Sequence, residues 1–208
     1  MVRGTMIDDG MRQRIVAEIA KAERGTRAEF VAAIARRADD YHSSALLAGL
    51  TAAVIAGVAV WVFASWPGPG EAMIGELAAF LIVYLLATFT GFGMLMVPAR
   101  RQRHRASRLA RLIFLDRGLA STEERCGVLF FVSEAERYVE IIADRGINQA
   151  VEPGAWEAIV NAFTASVKRG EIEQGFVGAI EALGALLGRH YPPEGENPNR
   201  IPDRLVEI

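Results

Sequence analysis

Two stretches of this chain carry no charge over the length of a membrane crossing, and that constrains the fold more than any other feature. From Ala45 to Ala64 the sequence reads ALLAGLTAAVIAGVAVWVFA. At the helical rise, twenty residues cover about 30 Å, the thickness of the hydrocarbon layer of a bilayer. From Leu77 to Val97 it reads LAAFLIVYLLATFTGFGMLMV, again without a charge. A helix of this length with no polar face is poorly suited to a soluble core, so both runs are expected to span a membrane. Tyr84, Thr88 and Thr90 fit this reading because a helical hydroxyl can bond back to its own backbone. Between the runs, Ser65-Trp66-Pro67-Gly68-Pro69-Gly70 reads as a turn with an aromatic at the interface, and Glu71 and Glu76 complete the connection.

The flanking charges set a direction. Arg36 and Arg37 precede the first run. Arg100, Arg101, Arg103, Arg105, Arg108 and Arg111 follow the second, while the connection has neither Lys nor Arg. By the positive-inside rule both termini are expected in the cytoplasm, with the hairpin in a bacterial inner membrane and the Pro-Gly turn outside. The arginines read as a topology determinant against the inner leaflet, each attracted to anionic headgroups by about 1 kcal/mol. Nucleic acid is not an expected partner: the net charge is -2, and no aromatic interleaving accompanies the arginines. Ala45, Gly49, Ala53 and Gly57 form a small-residue stripe, with Ala87 and Gly91 as a shorter counterpart. The stripe suits packing of the hairpin against itself, or self-association. With no ionisable residue expected at membrane depth, a pore or transporter subunit ranks last among the functional readings. The first residues lack the pattern of a signal peptide, so targeting is expected to reside in the internal helices.

Outside the hairpin, taken as residues 43–98, composition is that of an ordinary folded domain, expected to be built from residues 1–42 and 99–208 together. Met11 to Ala22 has helical periodicity through Ile15 and Ile19. Glu29 to Ala35 is a short apolar run, rich in alanine but bounded like a strand, and is read as one. Arg105 to Leu119 reads as a helix. Gly127 to Ser133 is a continuous apolar run typical of a strand buried on both faces, and Tyr138 to Ala143 follows as the second arm of a hairpin. Pro153 opens a helix with Trp156, Ile159, Phe163 and Val167 on one face. A second amphipathic helix runs from Ile172 to Gly188. The tail, with Pro192, Pro193, Pro198 and Pro202, is expected to lie extended along the domain. Both halves lie on one side of the membrane, so the early strand can join the later ones. The only thiol, Cys126, excludes an intramolecular disulfide and reads as a small buried hydrophobe.

Several segments together resemble the TPM domain family, in its bacterial membrane branch. They are Ala22-Glu23-Arg24 with Thr26 and Glu29, Asp39-Asp40-Tyr41, Gly127-Val128-Leu129 through Ser133, Ala135-Glu136-Arg137, and the run Ile141 to Ile147. Trp156, Asn199, Ile201-Pro202-Asp203 and Glu207-Ile208 complete the likeness. The resemblance implies an α/β domain with a mixed sheet flanked by helices, here interrupted by the transmembrane hairpin. It also implies kinship with proteins to which an acid phosphatase activity has been attributed, and with calcium-binding members.

A divalent cation needs several converging oxygen ligands. Asp39, Asp40 and Asp144 are the metal-ligand candidates, for calcium or magnesium, with Glu123 as a further one. Asp144 follows a strand directly, where α/β sheets tend to place sites. Arg145 stands where a glycine-rich turn occurs in soluble relatives, and it offers Asp144 an ion-pair partner instead. No nucleophile has an identifiable base: Ser43, Ser121 and Ser133 lack a neighbouring His. His190 reads as a partner for a helix C-terminus. The first functional reading is therefore a membrane-anchored, non-enzymatic module for protein binding or membrane maintenance, and the alternative is a metal-dependent phosphatase.

Overall fold

The computed structural model describes residues 7–63, 68–121, 125–193 and 205–208. The chain divides into two compact units, one comprising Met1–Ala38 with Arg103–Ile208 and the other Asp39–Gln102.

In the first unit, helix α1 (Asp9–Arg24) starts where the Asp8 carboxylate accepts the Met11 N–H at 2.7 Å, and it buries Ile15 and Ile19. The run Glu29–Ala35 is strand β1. All seven residues are buried, because β1 is an interior strand covered on both faces; that setting overrides the helical preference of its alanines. Strands β2 (Gly127–Ser133) and β3 (Tyr138–Ala143) form the expected antiparallel hairpin. β2 pairs in parallel with β1 along its whole length, from Glu29↔Gly127 to Ala35↔Ser133. A short β4 (Leu205–Glu207) adds to the other side of β1, also in parallel, giving the order β3-β2-β1-β4. The tail's Asn199, Ile201, Pro202 and Asp203 lie outside the described residues.

Alternation along the strands sends side chains to two cores. Phe30, Ala32 and Ile34 of β1, with Val128, Phe130 and Val132 of β2, face α1 together with helices α7 (Ala155–Lys168) and α8 (Ile172–His190). Val31, Ala33, Leu129 and Phe131 face Ala106, Ala110, Ile113 and Phe114 of helix α5 (Ala99–Asp116). The sheet is thus mixed and flanked by helices on both faces, as anticipated.

Three local expectations change. A six-residue helix, α6 (Arg145–Ala150), follows β3, with Asp144 capping it by accepting the Arg145 N–H at 2.6 Å. Helix α7 starts after Gly154, at φ +90, rather than at Pro153. Gly188 does not end α8. A Cβ there would lie 2.7 Å from the Gly25 carbonyl oxygen, so the glycine serves close approach within a helix that continues to His190.

The second unit holds two long apolar helices, α2 (His42–Phe63) and α3 (Pro69–Thr90), which pack on each other. The second helix differs from the span expected over 77–97. Proline at its first turn starts it eight residues earlier, and Gly91, at φ +72, ends it at Thr90. The short α4 (Phe92–Leu95) then brings Gly93 against α2, where an added Cβ would lie 3.6 Å from the Ala45 Cβ. Glu71 and Glu76 accordingly lie inside α3 rather than in the connection. Gly49 and Gly57 of the small-residue stripe face Phe80 and the Glu76 carboxylate: an added Cβ would meet them at 2.9 and 2.4 Å. The hydroxyls of Thr51 and Thr88 each donate at 2.8 Å to the carbonyl four residues earlier, as expected for polar groups on an apolar helix.

Candidate functional site

Where β1 and β2 end, the first unit leaves an open cleft of about 540 Å³, within the range of about 300–1,000 Å³ usual for small-molecule sites. The C-terminal ends of parallel strands are the ordinary place for such a site in an α/β sheet. Ile34, Val132 and Val139 form its floor from three adjacent strands. Phe163, Val167 and Phe176 supply apolar walls from α7 and α8. Arg103 from α5, Arg137 from the β2–β3 turn and Lys168 from the last turn of α7 bring three cations to the lining, against one acid, Glu134.

The β2–β3 turn that presents Arg137 is firmly held. Ser133 donates its hydroxyl to the Glu136 carboxylate, which also accepts the Ala38 N–H at 3.1 Å; both side chains are buried. Glu134 and Ala135 donate their amides to the carbonyls of Ala35 and Arg36, at 2.9 and 3.1 Å, tying the turn to the end of β1. Arg137 itself has φ +49. This left-handed conformation is unfavourable for a residue with a Cβ, by roughly 1–2 kcal/mol. The same turn carries the Ala135-Glu136-Arg137 motif singled out above, where Glu136 is a structural ligand and Arg137 a cleft residue.

The other motif residues are structural ties. The Thr26 hydroxyl donates to the Tyr191 carbonyl at 2.7 Å and accepts the Ala28 N–H at 3.1 Å, and Glu23 accepts the Phe30 N–H at 3.3 Å. Together they lock the entry to β1 onto the ends of α1 and α8. Asp39 accepts the Tyr41 N–H at 3.1 Å, with Tyr41 buried at φ +54.

Of the carboxylates selected as metal candidates, Asp39 and Asp40 belong to the hairpin unit and Asp144 to the α/β unit, while Glu123 lies outside the described residues. Asp40 is exposed, with one oxygen 3.9 Å from His42 Nε2. Asp144 is the cap of α6, bound to a backbone amide. Among the described residues, no group of three or more His, Cys, Asp or Glu side chains is placed to hold a metal ion. Cys126 is buried, its thiol 3.6 Å from the Arg27 carbonyl, as a small hydrophobe would be.

On the α5 side of the sheet, Tyr138 lies beside Glu140, whose carboxylate accepts the Ser107 hydroxyl at 3.3 Å. Burial, and then the negative charge of Glu140, raise the Tyr138 phenol above its ordinary value near 10. The folded protein therefore holds this proton longer than the unfolded chain does. The associated stability is complete below the ordinary value and is lost as pH rises through the raised one. Glu140→Gln is expected to move the phenolate transition, followed by difference absorbance against Tyr138→Phe, back toward the ordinary value. An unmoved transition would show that Glu140 does not act on this phenol.

The fold and cleft define a class: a mixed α/β domain with an open cleft at its strand ends, whose sequence is interrupted by a two-helix apolar hairpin. Residues 86–186 match the family model of the TPM domain, so this stretch of the chain carries that domain's sequence pattern. The match begins inside α3 and ends inside α8, so β1 and α1 lie outside it. Among solved structures, the chain is similar to the BA42 protein from the psychrophilic bacterium Bizionia argentinensis, solved by NMR. The two share 17% sequence identity with a TM-score of 0.61, over 100% of this chain and 99% of that one, a likeness of fold. No curated protein matches the chain.

Arg103, Arg137 and Lys168 were not singled out from the sequence as binding residues. Arg103 looked like one more member of the arginine run, and Lys168 like an ordinary helix-end cation. Only the meeting of three elements at one end of the sheet distinguishes them.

Proposed function

We propose that this chain is a membrane-anchored TPM-domain binding protein: the hairpin fixes it in a bacterial inner membrane, and the cleft at the ends of β1 and β2 receives a ligand without chemical conversion. The observation that carries the anchoring is the exposure of the hairpin's large apolar side chains. Trp61, Phe63 and Phe89 are 84%, 86% and 82% exposed, and both helices are of spanning length and hydropathy. A continuous apolar surface of this kind is unfavourable in water by about 25 cal/mol per Å² and is satisfied by lipid. The α/β unit supports the binding half of the reading. It has an open cleft with a few convergent polar groups, while Ser133, the serine nearest it, is committed to Glu136.

The test is extraction and topology together. After an alkaline carbonate wash the protein is expected to remain with the membrane pellet, and a reporter inserted between Gly68 and Gly70 is expected to read as periplasmic. Release into the wash would overturn the anchoring; a cytoplasmic reporter at the turn would overturn the orientation.

A further inference from the structure

The cleft has two chemically different halves, and the difference specifies its ligand. Its floor and most of its walls are apolar: Ile34, Val132 and Val139 on the sheet, Phe163 and Val167 on α7. Its positive charges are on the exposed residues Arg103, Arg137 and Lys168, which come from three separate elements, and its one acid is the half-buried Glu134. Some surface cations elsewhere on this unit are matched: Arg12 bonds Asp9 and Glu207, Arg14 bonds Glu173, Lys21 bonds Glu18 and Glu181, and Arg169 bonds Glu171. Others, Arg24, Arg108 and Arg145 among them, are exposed and in no ion pair with a described residue, so it is the meeting of three such cations at one hollow that sets the cleft apart. Among the described residues no carboxylate lies within ion-pair distance of Arg103, Arg137 or Lys168, and the acid in the lining, Glu134, has a partner of its own. An apolar hollow with unmatched positive charge is complementary to a molecule that is apolar at one end and anionic at the other.

Arg137 adds an independent observation. It occupies a left-handed turn position that glycine would fill at no steric cost, yet the chain keeps a long cation there, beside the hollow. Strained backbone positions of this kind cluster at ligand sites, and of the described non-glycine residues at positive φ Arg137 is the one that lines the cleft.

We propose that the cleft binds an anionic amphiphile, with a single alkyl chain on the apolar floor and a phosphate or carboxylate head on Arg103, Arg137 and Lys168. This rests on the reading of the protein as a binding module. Two sources supply such a molecule: a free amphiphile in the cytoplasm, or a lipid of the bilayer. Connectivity favours the lipid, because Arg103 follows the last residue of the apolar run, Val97, by only six positions.

The full chain in nanodiscs of zwitterionic lipid is titrated with dodecyl phosphate, and bound ligand is counted by native mass spectrometry. Saturable binding of one dodecyl phosphate is expected, with dodecanol and inorganic phosphate each about tenfold weaker or more, since each lacks one half of the ligand. Arg137→Gly is expected to weaken binding about tenfold while leaving the domain at least as stable, because it removes the charge and relieves the turn. Lys168→Gln is expected to weaken it similarly, and protection of the buried Cys126 thiol reports that each variant is folded. Displacement of dodecyl phosphate by phosphatidate placed in the nanodisc identifies the bilayer as the source; no displacement identifies the free amphiphile, and either outcome supports the proposal. Inorganic phosphate or dodecanol binding as tightly as dodecyl phosphate would overturn it. So would full affinity in folded Arg137→Gly and Lys168→Gln. Failure of all probes to bind, with the protein still in the carbonate pellet, would remove this ligand class and leave the membrane anchoring intact.

Discussion

Gly127→Val is expected to leave the α/β domain unfolded. Gly127 opens β2, pairs with Glu29 across the sheet, and accepts the Asp144 N–H at 2.9 Å. The 3₁₀ turn Leu119–Ser121 runs directly over it, and a Cβ at position 127 would lie 2.2 Å from the Leu119 carbonyl oxygen and 2.9 Å from two further backbone atoms. No rotamer change relieves a clash with backbone, and Leu119 is itself fully buried. Overpacking in a rigid core costs about 1–3 kcal/mol when side chains can adjust, and more when they cannot. A domain of ordinary stability has only about 5–15 kcal/mol to lose. The neighbouring Cys126, the only thiol, is buried and provides the readout. Its reaction with a maleimide should be slow in the native protein and fast in Gly127→Val. Gly178→Ala is the matched control, since nothing lies within 4 Å of the added methyl and alanine favours a helix interior. It should leave Cys126 protected. Protection retained in Gly127→Val would refute the packing of the 119–121 turn over β2.

The elements were legible where periodicity and burial agree. Gly127–Ser133 and Tyr138–Ala143 read as strands because largely apolar runs of that length, joined by four residues of which three are charged, have few other uses. The alanine-rich Glu29–Ala35 was ambiguous by propensity, and its strand state is fixed by pairing with residues almost a hundred positions away. Two other features were out of reach for the same reason. The three-residue β4 has no local signal and exists because the Ile34 carbonyl and the Arg36 N–H at the end of β1 bond Ile208 at 2.9 and 2.8 Å. The second apolar helix was displaced because hydropathy locates apolar residues and not helix ends. Pro69 and the left-handed Gly91 set those ends, and they place Glu76 inside the helix, against Gly57, where hydropathy alone leaves it in the connection.

The cleft was the least legible part. Its apolar floor consists of residues that any core would contain, and its three cations belong to segments far apart in sequence. Only the parallel pairing of β1 with β2 brings the turn carrying Arg137 to the sheet end that Arg103 and Lys168 also border. The carboxylates were conspicuous in sequence for the opposite reason: acidic residues near turns attract a metal reading. Yet two of them serve backbone amides, Asp144 at the start of α6 and Asp39 before α2, where a short side-chain acceptor is what the backbone requires.

Phe130→Ala should be the most destabilising truncation in the core. Phe130 is fully buried on β2, and its ring meets Phe163 and Phe176 edge-on, with centroids 5.2 and 5.9 Å apart, while those two rings pack at 4.9 Å. Removing it takes away a large apolar surface and the shared member of a three-ring cluster that ties β2 to α7 and α8. The cavity left behind cannot collapse readily, because its walls are a central strand and two helices held elsewhere. A loss of about 3–5 kcal/mol is expected, which lowers the protection of Cys126 more than about a hundredfold if exposure follows global opening. Phe163 and Phe176 also line the cleft, whereas Phe130 does not. Phe176→Ala should therefore cost less stability than Phe130→Ala, since its ring borders open space and solvent can enter the hole. In the double variant the two losses should fall short of their sum, because each single truncation already removes the contact between the rings. Strict additivity would mean that the three rings do not act as one cluster, and that the wall of the cleft is not braced through Phe130.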